Sequence, residues 1–104
     1  MAVALKALAN GQLAVAKGTL YTVPGATTAA AKVVLVNTDA AARTVNIYVN
    51  PGGTSRRISP KDLSLGAGEQ WVSEVVTLEA ADLIEGDASA ATVVDYSIHG
   101  FEVA

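Results

Sequence analysis

The stretch Thr44-Val45-Asn46-Ile47-Tyr48-Val49-Asn50 decides the fold class. Its apolar residues recur at every second position, so Val45, Ile47 and Val49 share one face of an extended chain and Asn46, Tyr48 and Asn50 share the other. A helix would scatter these aliphatics around its circumference, whereas a half-buried strand collects them. Working outward, Lys32 to Val36 is apolar on both faces, as in a central strand with a neighbour over its outer side. Gln70 to Leu78 places Trp71, Ser73 and Val75 opposite Val72, Glu74 and Val76, and Thr92 to Ile98 places Val94, Tyr96 and Ile98 opposite Val93, Asp95 and Ser97. Shorter runs at Gln12 to Ala16, Thr19 to Val23, Leu63 to Leu65, Leu83 to Glu85 and Phe101 to Val103 bring the expected total to about eight or nine short strands.

Turn residues punctuate these runs: Asn10-Gly11, Lys17-Gly18, Pro24-Gly25, Asn37-Thr38-Asp39, Asn50-Pro51-Gly52-Gly53, Gly66-Ala67-Gly68, Gly86-Asp87 and Gly100. Turn signals roughly every ten residues between short strands predict an all-β fold. Alternating strands need a second apolar sheet to cover them, so the expectation is a small antiparallel β-sandwich, jelly-roll-like. Two stretches lean the other way: Ala2 to Ala9 and Leu78 to Glu85 are rich in Ala, Leu and Glu, and a single helical turn is expected at Leu78 to Asp82. Residues 11–104 form one domain. Residues 1–10 form an N-terminal segment that is either an inter-subunit arm or an edge strand of the same sandwich, with Val3 and Leu5 as its apolar contacts.

The bulk composition narrows the function. The chain has 104 residues, 51% of them apolar and 16% charged, where a soluble domain usually carries about 25% charged residues. So little charge favours a protein that buries surface against other copies or another protein, and a homo-oligomer is expected. Seven Lys and Arg against ten Asp and Glu give a net charge of −3, which argues against nucleic acid as a partner. There is no cysteine, so disulfides and thiolate metal sites are excluded. No stretch approaches the roughly 20 apolar residues of a membrane-spanning helix, and Lys6 interrupts the N-terminal apolar run where a signal peptide would need an unbroken core. A soluble protein with no membrane partner is the expectation.

Chemistry-bearing residues are sparse. His99 is the single histidine, and no Gly-x-Ser-x-Gly elbow supplies it with a nucleophile. Asp82, Glu85 and Asp87 bracket a turn but match no EF-hand spacing, so they read as solvated turn residues. Glu69 and Glu74, five apart on one strand, point to opposite faces and make a poor acid and base pair. The expectation is therefore no catalytic residue, no cofactor and no metal. Trp71 and Tyr96 alternate with core residues and read as core, not as a sugar platform. Tyr48 shares its face with two asparagines and is the best single candidate for an exposed contact. Arg56, Arg57 and Lys61 form the one basic cluster, in the loop between two strands, where arginine could grip a carboxylate of a neighbouring subunit.

Thr19-Leu20-Tyr21-Thr22-Val23-Pro24-Gly25, followed by Val33-Val34-Leu35-Val36-Asn37-Thr38 and then Thr44-Val45-Asn46-Ile47-Tyr48-Val49, resembles a group of small β-sandwich virion structural proteins of tailed bacteriophages. Leu65-Gly66-Ala67-Gly68-Glu69 and Leu78-Glu79-Ala80-Ala81-Asp82-Leu83-Ile84 resemble two recurrent turns of that group. The chain departs from it at Ala81, where Gly is more usual, and at Pro24-Gly25-Ala26, where Pro-Ala-Gly is more usual. The resemblance implies a non-enzymatic virion protein made in the host bacterial cytoplasm. Within the virion it implies a capsid decoration (cement) protein on the assembled head, trimeric, with the major capsid protein or another virion protein as partner. The alternative is a tail, baseplate or fibre module, including a receptor or glycan binder.

Overall fold

The structure, a computed structural model, describes residues 3–104, with side chains described from residue 7 onward. It is all-β, and no helix occurs among the described residues. Ten strands follow in order: β1 (Val3–Gln12), β2 (Gly18–Thr22), β3 (Thr28–Asn37), β4 (Arg43–Asn50), β5 (Arg56–Arg57), β6 (Leu63–Leu65), β7 (Gln70–Val72), β8 (Val76–Leu78), β9 (Leu83–Ala88) and β10 (Val94–Val103).

Sheet A has the order β1-β10-β3, with β7 and β8 sharing the far edge along β3; sheet B has the order β2-β9-β4, with β5 and β6 sharing its far edge along β4. Every pairing is antiparallel. Consecutive strands alternate between the sheets from β1 to β4, and the ten strands occupy eight sheet positions. That is the jelly-roll form of the sandwich. The aliphatics expected to face inward do so: Val33 and Leu35 from β3, Val45 and Ile47 from β4, and Val94 and Ile98 from β10 are fully buried in one cluster between the sheets. Of the segment 1–10, left open as arm or edge strand, residues 3–10 lie in β1, which pairs with β10 in sheet A from Val3↔Val103 to Gln12↔Asp95.

Several expectations are corrected. Asn10-Gly11, Gly86-Asp87 and Gly100 are not turns; they lie inside β1, β9 and β10. Each glycine makes room. A methyl at Gly86 would lie 2.8 Å from Ile47 Cδ1, and one at Gly100 would lie 1.9 Å from the Ala30 carbonyl oxygen. Because Gly100 does not break the chain, the runs ending at Ile98 and beginning at Phe101 are one ten-residue strand. The strand expected at Gln12 to Ala16 falls instead on the Ala-rich residues before it, and Leu13 to Lys17 is the loop to β2. The helical turn at Leu78 to Asp82 is absent. Ala81 adopts a left-handed φ of 69° and its N–H donates to the Val23 carbonyl, so this segment turns tightly between β8 and β9.

Gln70 to Leu78 is not one continuous strand. Val72 pairs with Val34, but Val76 pairs with Ala31, so the edge has gained one residue over β3. This bulge, at Glu74 and Val75, reverses the alternation beyond it. Val75, expected inside, stands 58% exposed, while Val76 and Leu78 turn toward the core. Ser73 spans the irregularity: its N–H donates to the Val33 carbonyl and its hydroxyl accepts from the Val33 N–H.

Candidate functional site

Sheet B presents an outer face built by the polar half of β4. Asn46, Tyr48 and Asn50 emerge there, opposite Asp87, Glu85 and Leu83 of β9. Asn46, although on the outer face, is buried. Its amide donates to Asp62 Oδ1 at 3.0 Å and Asp87 Oδ1 at 2.9 Å, while its oxygen accepts from the Asp62 N–H and from Arg57. The Tyr48 hydroxyl donates to Asp87 Oδ2 at 3.2 Å. Burial, reinforced by the Asp87 charge, pushes the Tyr48 hydroxyl above its ordinary range, with Arg57 pulling the other way. Glu85 accepts from Ser55 at 2.5 Å and from Asn50 at 3.4 Å, and Ser55 in turn accepts from Lys17 at 2.9 Å.

The ring of Tyr48 has Lys17 Nζ at 5.0 Å and the Arg57 guanidinium at 4.9 Å from its centroid, both within cation–π range. The chain's own cations are thus stacked against it, which works against its use as a sugar-stacking platform. Glu85 and Asp87, read from sequence as solvated turn residues, are strand residues whose oxygens are taken up by donors of this network. Among the described residues no buried side-chain nitrogen or oxygen lacks a partner, and no group of three or more acidic, His or Cys side chains could hold a metal ion. The network locks the loop between β4 and β6 onto the sheet, because Asp62, at a left-handed φ of 50°, is held by both its N–H and its carboxylate.

Of the contact residues expected from sequence, Tyr48 and Arg57 are brought together here. Arg56, paired with Val49 on the short edge strand β5, and Lys61, in the following loop, are exposed and outside the network. Val3 and Leu5 belong to β1, but their side chains lie outside the described ones. Lys17, Ser55, Asp62, Glu85 and Asp87 are the members the sequence did not indicate. Asn46 and Asn50 marked the face, but their partners come from distant loops and from β9, of which Leu83 to Glu85 was expected as strand and Gly86-Asp87 as turn.

Sheet A differs. Val72 (47% exposed), Val75 (58%) and Phe101 (46%) account for three of the four large apolar side chains left exposed among the described residues. They lie on its outer face or far edge. A groove of about 530 Å³ opens on the flank where the edge of sheet A, from Trp71 to Thr77, passes Ile58 from the margin of sheet B. Trp71 and Val76, half-buried members of the core, form its inner wall. His99 is exposed on the same outer face, opposite Lys32, and Glu69 and Glu74 are exposed along the β7–β8 edge.

No family model and no curated protein matches the sequence. Solved structures do match the fold. A chain from the acid-stable capsid structure of Helicobacter pylori bacteriophage KHP30 superposes with a TM-score of 0.56 at 14% identity, covering 100% of this chain and 94% of that one. Chains from two infectious bursal disease virus particle structures superpose with TM-scores of 0.54 and 0.55 at 14% and 10% identity. They are covered along 32% and 30% of their length, so this chain spans about a third of them. At these identities the likeness is one of fold: the jelly roll described above.

Proposed function

We propose that this chain is a non-enzymatic structural protein of a tailed-bacteriophage virion, and within it a capsid decoration (cement) protein that binds and stabilises the assembled head. The observation that carries the reading is the match in extent with the KHP30 chain. A jelly roll of this size, with almost nothing added, occurs as a chain of a phage capsid structure, whereas in the bursal disease virus particles the same fold is one part of a larger chain. The site supports it. Carboxylates of the outer face of sheet B are occupied by amide and hydroxyl donors, and the single histidine lies on an exposed face of the other sheet. Three of the four large apolar side chains exposed among the described residues gather on sheet A, where a protein that works by docking would keep them.

The partner of this reading is the major capsid protein or another virion protein, and the protein joins it as a homo-oligomer, with a trimer favoured. Its copy number tests the proposal. Quantitative mass spectrometry of purified particles, normalised to the major capsid protein, is expected to give hundreds of copies per particle. A few to tens of copies would transfer the chain to the tail, baseplate or fibre, and its absence from particles would end the virion reading.

A further inference from the structure

The two margins of sheet A are unlike, and the difference has a consequence for self-assembly. At one margin lies β1, ten residues long and paired only through β10. At the other lie β7 and β8, which with the bulge between them run from Gln70 to Leu78, a nearly equal length. Both leave one side of their backbone without a strand partner among the described residues. An uncovered strand edge is a template for another strand, and proteins blunt it or use it.

Charge selects what can pair. The stretch Glu69 to Glu79 contains three glutamates and no basic residue, and Glu69, Glu74 and Glu79 are all exposed. Two such edges repel each other when brought side by side, which disfavours a two-fold dimer through β7 and β8. The first twelve residues, which supply β1, contain one lysine and no acid. They suit the acidic edge. Direction suits it as well: β1, β10, β3 and β7 alternate in sense across sheet A, so continuing that sheet with β1 of another copy places β1 antiparallel to β7 and β8. The groove of mixed polarity beside the exposed Val72 and Val75 gives an arriving strand apolar surface to bury at the same step.

We propose that β1 of a second copy of this chain docks on the β7–β8 edge, joining sheets A head to tail into a closed ring. The contact is heterologous, so each copy donates one margin and accepts on the other, and the ring closes when the rotation between copies divides a full turn. This inference does not depend on the virion reading, because the isolated protein tests it.

The cysteine-free sequence makes the test direct. In one chain β1 and β7 are three strand spacings apart, roughly 14 Å, far beyond what a disulfide spans. Two variants, Ala7→Cys with Val72→Cys and Ala7→Cys with Thr77→Cys, sample two registers at exposed positions. After mild oxidation the expected result is a covalent oligomer on non-reducing gels in at least one pair, with little cross-linking in the single-cysteine variants. Melting of the reduced variants near the wild-type temperature verifies their folding. Glu74→Lys is expected to shift the oligomer–monomer equilibrium at least tenfold toward monomer by native mass spectrometry. Covalent products absent from both pairs, cross-linking equally strong in the single-cysteine variants, or an equilibrium indifferent to Glu74→Lys would overturn the proposal.

Discussion

Gly100→Ala separates a glycine that marks a turn from one that makes room inside a sheet. On generic grounds alanine improves a strand by roughly 0.5–1 kcal/mol, because glycine loses more backbone freedom on folding. Here the added methyl would sit 1.9 Å from the Ala30 carbonyl oxygen, about 1 Å inside the closest approach real side chains make, and 2.9 Å from its carbon. The obstacle is backbone, not a flexible side-chain end, so β10 must move away from β3. Those two strands form the centre of sheet A and pair along ten residues, from Val94↔Asn37 to Val103↔Thr28. Parting them around Gly100 weakens two or three ladder hydrogen bonds at roughly 0.5–1.5 kcal/mol each. The φ of 157° adds strain for a residue with a side chain, of order 1 kcal/mol. The expected destabilisation is about 3 kcal/mol or more, a fall in Tm exceeding roughly 12 °C for a domain of this size. Thermal and urea unfolding followed by circular dichroism measure it, with Gly25→Ala, where the methyl would meet nothing within 4 Å, as the control. A Gly100→Ala melting temperature equal to or above wild type would refute the close approach and, with it, the register of the two central strands.

Four further outcomes are expected. Ile47→Ala and Val94→Ala each remove a fully buried aliphatic group and should lose roughly 2–4 kcal/mol in urea unfolding; a change under about 0.5 kcal/mol would place these side chains on the wrong face. Ala26→Gly and Ala81→Gly relieve left-handed φ angles of 58° and 69°, which cost roughly 1–2 kcal/mol with a Cβ, against roughly 0.4–1 kcal/mol of added unfolded-state freedom, so Tm should hold or rise slightly and a drop of several degrees in both would contradict the turns. The Tyr21 hydroxyl donates to Glu102 at 2.5 Å, and burial together with that carboxylate raises its pKa well above 10; stability from this proton is present below about pH 10 and declines above it, so Tyr21→Phe and wild type should converge in stability as alkaline pH rises, as pH-dependent melting will show. Deleting residues 2–9 removes pairing to the end of β10 but, among the described residues, no fully buried side chain, so the truncated protein should fold with a modestly lower Tm and, by the ring argument, run as a monomer in light scattering.

The fold class was legible because period-two alternation survives wherever the sheet is regular. Val45, Ile47 and Val49 lie on the core side of β4, and Val94 and Ile98 on that of β10, as their spacing requires. What escaped was governed by contacts far along the chain. Gly11, Gly86 and Gly100 look like punctuation in one dimension; the rings, methyls and carbonyls that demand them belong to Tyr96, Ile47, Leu20 and Ala30. The bulge at Glu74 and Val75 has no decisive local signature, since the apolar doublets Trp71-Val72 and Val75-Val76 leave both faces of Gln70 to Leu78 mixed and do not say which member of each pair turns inward. In the outer cluster, Asn46 and Tyr48 announced a polar face. Its burial depends on Asp62 and Arg57 arriving from the following loop and edge strand, and on Asp87 from across the sheet. The two alanines that depart from the phage-protein pattern, Ala26 and Ala81, both carry left-handed φ angles, the conformation for which glycine is the usual choice.

The asymmetry between the two outer faces bears on how such a small domain can act. Sheet B turns its polar residues on itself: Asn46 joins Arg57 and Asp87, Tyr48 joins Asp87, and Ser55 and Asn50 donate to Glu85, so a partner binding there would have to replace hydrogen bonds already made. Sheet A and its margin make no such demand, because Val72, Val75 and Phe101 have only water to lose. In the proposed virion role, a hydrogen-bonded face and an apolar face on opposite sides of one sandwich would let it bind in many identical copies without rearranging. Repeated docking on a shell would require that property, and enzymatic turnover would not. If the reading is correct, charges introduced on the two faces should act differently. Phe101→Glu should abolish docking while leaving melting nearly unchanged, and Asn46→Ala, by removing the amide that donates to Asp62 and Asp87 and accepts from the Asp62 N–H, should lower melting while leaving docking of the folded fraction intact. The reverse pattern would move the binding surface to sheet B.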